Sequence, residues 1–142
     1  MDEHENLTLV KSLYEAINAR DWDKAFGYLS NDHLRFEVEA AEPMRGLSAY
    51  REFVKDSVDP FPDMHVEVNN LFGSGEWVCD EHITSGTFTN PMRVSGGQSI
   101  PPNGKKFKVK SCHIYRVKDR KITETRVYFD PRSVMAQLGL GH

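Results

Sequence analysis

The chain has 142 residues, a length at which about two thirds of the extended surface can be buried, so one domain can hold a core without disulfide or metal staples. Its 18 basic and 21 acidic residues leave a net charge of −3 with no long basic run, which excludes the electrostatic footprint of a nucleic-acid binder. No window approaches the roughly 20 apolar residues that span a bilayer, and the start MDEHEN is acidic where an export signal would be cationic, so a cytoplasmic protein without a membrane partner is expected.

Taken in chain order, NLTLVKSLYEAINARDW places Leu9, Val10, Leu13, Tyr14 and Ile17 on one stripe of a helix, with Asn6 positioned to cap it. Asp21 caps a second helix over WDKAFGYL, whose buried stripe is Trp22, Ala25, Phe26 and Leu29. A short strand, LRFEVEA, separates it from a third helix, LSAYREFVKDSV, which begins after Gly46. Pro60 and Pro62 end the helical half. Four alternating segments follow, MHVEVNNLF, EWVCDEHITSGTF, KKFKVKSCHIYRV and KITETRVYF, divided by GSGE, by a Gly- and Pro-rich loop through NPMRVSGGQSIPPNG, and by KDR. The tail DPRSVMAQLGL closes as a helix with Asp130 as cap, Pro131 at the first helical position and Gly139 as stop. Helices segregated from consecutive antiparallel strands predict a single α+β domain over residues 1–142, one sheet face covered by helices and the other free for solvent or a partner. Cys79 and Cys112 fall inside strands, outside any CxxC or Cys/His spacing, which predicts reduced thiols in place of a disulfide or zinc site.

Several strands carry residues that a plain core would not. In FKVKSCHIYRV, Phe107, Val109, Ser111, His113 and Tyr115 share one face and Lys106, Lys108 and Lys110 the other. An imidazole on the dry face needs hydrogen-bond partners, as a core histidine bonded to the backbone or as part of a cavity wall. Its ordinary pKa of about 6.5 suits it to donate to a carbonyl oxygen or to move a proton. In CDEHIT, Asp80, His82 and Thr84 share a face with Val78 while Cys79, Glu81 and Ile83 share the other with Trp77, so which face meets the interior stays open; in TRVYFD, Thr125, Val127 and Phe129 share one face. In LRFEVEA, Leu34, Phe36 and Val38 alternate with Arg35, Glu37 and Glu39, so whether Phe36 or Glu37 meets the interior stays open. His82, His113 and a carboxylate from Glu37 or Asp80 form the kind of set that suits a divalent cation, but residues scattered over separate strands carry no spacing signature. No metal or cofactor is expected. His4, His33, His65 and His142 lie near an end or among polar residues, and surface placement is expected for them.

The succession LYEAINARDWDKAF, EPMRG, FPDMHVEV, IPPNGKKF, HIYRVKDRKITETRVYFD and MAQLGL resembles the SnoaL-like polyketide cyclase branch of the nuclear transport factor 2-like superfamily, over nearly the whole chain. The resemblance implies a strongly curved sheet wrapped around helices, a cone with a pocket at its wide end. It also implies a homodimer through the outer sheet face, where Ile114, Arg126 and Tyr128 would lie. By position, Glu37 is similar to the carboxylate base of ketosteroid isomerases and to a polar substrate-positioning residue of limonene epoxide hydrolases. His113 stands where the isomerases carry an acidic oxyanion donor, and Tyr14 lies one residue beyond their oxyanion tyrosine, whose place is taken by Leu13. His82 and Thr84 replace an arginine and an aspartate of the hydrolases' Asp-Arg-Asp set, and Val127 replaces the last aspartate. Epoxide hydrolysis by that route is therefore not expected. The single-aspartate chemistry of SnoaL-like cyclases would pass to Asp130 or Glu37, although Asp130 followed by Pro131 also reads as a plain helix cap.

These residues predict a mostly apolar pocket lined by Tyr14, Phe36 or Glu37, Asp80, His82, Thr84, His113, Val127 and Phe129, suited to a small hydrophobic ligand bearing a carbonyl or hydroxyl group. Two functions fit. One is a cyclase or isomerase in which Glu37 or Asp130 shuttles a proton and His113 or His82 stabilises an enolate oxygen; the other is a non-catalytic ligand-binding or dimerisation module.

Overall fold

The computed structural model describes residues 3–141; His142 lies outside them. Two helices, α1 (Glu3–Asn18) and α2 (Trp22–Gly27), precede β1 (Leu29–Glu37), β2 (Met44–Arg45) and α3 (Leu47–Val58). The second half runs β3 (His65–Ser74), β4 (Trp77–Thr87), β5 (Met92–Arg93), β6 (Ser99–Ile100), β7 (Lys106–Lys118), β8 (Lys121–Tyr128) and α4 (Pro131–Gln137). The main sheet has the order β2-β1-β8-β7-β4-β3. Its pairs are antiparallel except β1 with β8, since the two are joined by a long crossover that returns the chain in the same direction. This is the α+β architecture expected from the segregation of helices and strands, with the helices packed against one face of a curved sheet.

Two apolar clusters fill that face. The larger joins α1 and α2 to the sheet through Val10, Leu13, Phe26, Val78, Val117 and Ile122. The smaller lies under α4, where Phe61, Phe88, Phe107, Val109 and Leu138 meet. Each such side chain contributes about 1.5–3 kcal/mol when fully buried. Asn18 fastens α1 to β3 by a reciprocal pair of 2.8 Å hydrogen bonds with the Val66 backbone. Asp21 caps α2 by accepting from the Lys24 amide.

Four local expectations are corrected. Asn6 is not a cap: α1 extends back to Glu3, and the Asn6 amide is buried and donates to the Gly75 carbonyl at 3.0 Å, tying the helix to the β3/β4 turn. The β1 strand starts at Leu29, ahead of the LRFEVEA segment, because Leu29 pairs with Ile122 across a register shift. The Gly- and Pro-rich loop holds a two-stranded ribbon, β5 with β6. His33 is buried, its Nε2 2.7 Å from Thr125 Oγ1, while His4 and His65 are exposed. The longer β1 turns His33 inward, alternating with the outer-facing Leu34.

Candidate functional site

The register of four neighbouring strands assembles the site. Across β4 and β7, Asp80 faces His113, His82 faces Ser111 and Val78 faces Tyr115. Across β7 and β8, His113 faces Val127 and Tyr115 faces Thr125. Glu37 and Arg35 of β1 face Val127 and Thr125 in turn. Residues paired in this way point to the same side of a sheet, so residues far apart in sequence form one row on the helix-covered face. Between that row and the helices lies a cavity of about 510 Å³, within the usual range for small-molecule pockets. Its wall is mostly apolar and includes Leu13, Ile17, Phe53, Phe61, Phe107 and Phe129.

The polar part of the wall is a hydrogen-bond chain around Asp80, which has no exposed surface. Tyr14 donates its hydroxyl to Asp80 Oδ2 at 2.6 Å, and His82 Nδ1 lies 2.5 Å from Asp80 Oδ1. The hydroxyls of Tyr14 and Tyr115 bond to each other, and His113 Nδ1 lies 3.0 Å from the Tyr115 oxygen. A carboxylate only accepts, and this fixes the direction of every proton in the chain. The Tyr14 proton goes to Asp80, so Tyr115 donates to Tyr14 and His113 Nδ1–H donates to Tyr115. His82 likewise gives its Nδ1–H to Asp80. His113, whose charged form burial disfavours, is thus assigned the Nδ1–H tautomer with a lone pair on Nε2, and in His82 it is Nδ1 that is committed to Asp80. Burial, followed by the charge of Arg35 and the neighbouring His82, drives the His113 pKa well below 6.5. Burial first, and then the other phenol and Asp80 for Tyr14 and Asp80 for Tyr115, push both tyrosines well above 10. His113 and the two phenols are therefore neutral at pH 7.

A second polar feature stands on β1. Arg35 donates from Nε to Glu37 Oε1 at 2.6 Å, and its guanidinium lies 5.2 Å from the Tyr50 ring centroid and 5.0 Å from that of Phe53. Burial works against its charge, but Tyr50 and Glu37 outweigh this and hold the Arg35 pKa above its usual value.

Tyr14, Glu37, His82, Thr84, His113, Val127 and Phe129 all line the cavity. Asp80 does not; it sits behind Tyr14 and His82 and acts on the cavity through them. Phe36 is a correction: its ring turns to the outer face, with the Arg126 guanidinium 4.5 Å above it, because Glu37 takes the inward parity. Asp130 is a second correction. It is exposed, accepts from the Arg132 amide at 3.0 Å as the cap of α4, and does not line the cavity. Asp80, His82 and His113 bring one potential metal-ligating atom each within 4.8 Å of one another. Both Asp80 oxygens and both Nδ1 atoms are engaged in the chain described above, so these residues are satisfied as a proton network.

Residues 8–138 match the family model described as SnoaL-like polyketide cyclase. The chain belongs to that family. A candidate SnoaL-like polyketide cyclase from Jannaschia sp. CCS1 superposes with a TM-score of 0.85 at 20% identity, over 99% of this chain and 95% of that one. IdmH, a candidate polyketide cyclase from Streptomyces antibioticus, gives 0.77 at 24% identity, over 94% and 98%. An LEH-like epoxide hydrolase from M. tuberculosis gives 0.73 at 19%, over 98% and 92%. At these identities the likeness is one of fold. No curated protein sequence matches the chain. Among the described residues, no helix is long and apolar enough to cross a membrane.

Within this SnoaL-like chain, sequence reasoning missed Arg35 and Tyr115 as site residues. Strand parity held the signal: if Glu37 points inward, so must Arg35 two positions earlier, and Tyr115 must follow His113. What hid Arg35 was its charge, which reads as solvent-facing in an alternating strand.

Proposed function

We propose that this cavity binds a small, largely apolar carbonyl compound and moves a proton on it, in a cyclisation or isomerisation through an enolate. The observation that carries this reading is the directed chain in which buried Asp80 holds His82 by Nδ1 and leaves Nε2 as the nitrogen available to a ligand. His82 Nε2 takes a proton from the carbon next to the carbonyl, and the C–H electron pair moves to the carbonyl oxygen. Asp80 orients the imidazole and stabilises the imidazolium that forms. The hydroxyls of Ser111, opposite His82, and of Thr84, two residues on, line the cavity and supply donors for the oxygen. The enolate carbon then attacks a second carbonyl of the same molecule, or is protonated at another position, and His82 returns its proton. Nothing in these steps calls for a cofactor. Glu37 serves as the ion-pair partner of Arg35, so proton transfer falls to His82 in place of Glu37 or Asp130.

The competing reading, a non-catalytic binding module, draws support from Thr84 and Val127, apolar or neutral where related enzymes carry acids. One experiment separates the two. With 2-tetralone in D₂O, proton NMR should show the protein accelerating exchange at the position between ring and carbonyl, and His82→Gln should lose about 10²–10⁴-fold of that rate. Asp80→Asn, which removes one acceptor and breaks the proton order, should lose most of it as well. A wild-type protein that binds the ketone without accelerating exchange leaves only the binding module. A homodimer through the outer sheet face is also proposed, on the strength of the large side chains exposed there.

A further inference from the structure

The cavity contains a donor group that the proton transfer does not use. Arg35 bonds to Glu37 through Nε, and no residue among those described accepts from its two Nη groups. Those groups are not sealed away, since among the described residues the buried side-chain atoms without a partner are Asn6 Oδ1, Ser30 Oγ and His33 Nδ1. The side chain is only 11% exposed and lines the cavity, so the four Nη hydrogens open onto a largely apolar space. A fixed cation with idle donors in such a place has lost most of its water without gaining protein acceptors. Its guanidinium is held in place by the Glu37 anchor at Nε and by the nearby Tyr50 and Phe53 rings. A fork of this kind matches the two oxygens of a carboxylate, taken in a bidentate pair of charge-assisted bonds.

We propose that Arg35 is the specificity residue of this pocket and that its ligand is an aromatic or alicyclic carbonyl compound carrying a carboxylate, which docks on the Arg35 Nη groups. The inference deepens the reading of the preceding subsection and rests on the same cavity. Glu37 does not compete for the fork, because it occupies the Nε edge. It also keeps the guanidinium from folding away towards solvent. The carboxylate end sets the ligand's orientation along β1, and the carbonyl end is left for the His82 side of the cavity, where Ser111 and Thr84 stand. Arg35 also acts electrostatically on His113, whose pKa it helps to depress. An anion on the fork therefore returns basicity to that imidazole.

The test compares 2-naphthoate with methyl 2-naphthoate by isothermal titration calorimetry at pH 7.5 and low salt. The two differ in charge and barely in shape. Wild-type protein should bind the acid at least about tenfold more tightly than the ester, and in Arg35→Met the ratio should collapse towards one. Arg35→Lys, which keeps the charge and loses the fork, should fall between them and stands in if the methionine variant does not fold. Equal affinities for acid and ester in the wild type, or an acid preference undiminished in a folded Arg35→Met or Arg35→Lys protein, would overturn the proposal. The 2-tetralone exchange assay reads the proton-transfer site independently. Acid preference without exchange sinks the enolate chemistry alone, and exchange without acid preference sinks the carboxylate alone.

Discussion

At the scale of single residues, burial keeps His33 and His113 neutral at pH 7. His33 is 1% exposed, its Nδ1 has no partner, and burial followed by the Arg35 charge lowers its pKa from 6.5 to about 4. Because the folded pKa is depressed, the unfolded chain binds a proton first as the pH drops. The native state is therefore fully favoured above pH 6.5 and loses this contribution between pH 6.5 and 4. A difference of that size corresponds to on the order of 3 kcal/mol. His113, also depressed, adds in the same direction. Urea unfolding at pH 7.5 and pH 4.5 should show a loss that is clearly smaller in His33→Gln than in the wild type; an equal loss in the two proteins would place the acid sensitivity elsewhere.

At the scale of elements, two sites distinguish architecture from chemistry. Asp130 caps α4, so Asp130→Ala should lower stability by about 1 kcal/mol and leave ketone exchange at the wild-type rate. Gly86 on β4 lies so close to its neighbours that an added Cβ would sit 3.0 Å from Phe61 Cβ and 3.0 Å from Phe107 Cε1. Gly86→Ala should therefore cost about 1–3 kcal/mol by crowding the cluster under α4, measurable as a lower urea midpoint at unchanged slope. The elements themselves were largely legible in the sequence. The stripes of α1 and α2, the Asp21 and Asp130 caps and the long alternating strands are written in local periodicity and capping chemistry. The site was legible only in part. His113 fell on a face that alternation defines, but in β4 alternation leaves open whether the His82 and Thr84 face or its opposite is inward, and β1 carries charges on its inner face and Phe36 on its outer one. Periodicity can sort the two sets and cannot say which is dry. That choice is made by β8, which aligns Glu37 with Val127 and Phe36 with Arg126. His33 escaped for a related reason: the strand reaches back to Leu29 only through a parallel pairing with β8, nearly a hundred residues away.

At the scale of the whole molecule, the sheet has one face spent on the cavity and one left open. On the open face Phe72, Trp77 and Tyr128 are 53%, 37% and 48% exposed. Register places Phe72 beside Cys79 on β4 and Tyr128 beside Cys112 on β7, so these residues belong to one continuous surface. Arg116 and Arg126 lie over Trp77 at 5.3 and 5.6 Å, giving the patch a cationic fringe, and Glu76 and Glu124 pair with Arg116 beside it. A surface with an aromatic centre and both signs of charge around it can match a two-fold copy of itself, each arginine meeting a glutamate of the other chain. Sedimentation velocity at micromolar concentration should then give a dimer, and Tyr128→Glu or Phe72→Glu should shift it towards monomer by burying an unpaired charge at the contact. The cavity opens on the other side of the sheet, so the monomeric variants should still accelerate 2-tetralone exchange. The thiols offer a second readout on the same face. Cys79 Sγ lies 3.7 Å from Cys112 Sγ, and burial, followed by the hydrogen bond to Cys112, pushes the Cys79 thiol up to about 11. Both cysteines should react slowly with a water-soluble disulfide reagent in the dimer and faster in the monomeric variants. A wild-type protein that sediments as a monomer, with thiol reactivity indifferent to Tyr128→Glu, would leave the open face to solvent.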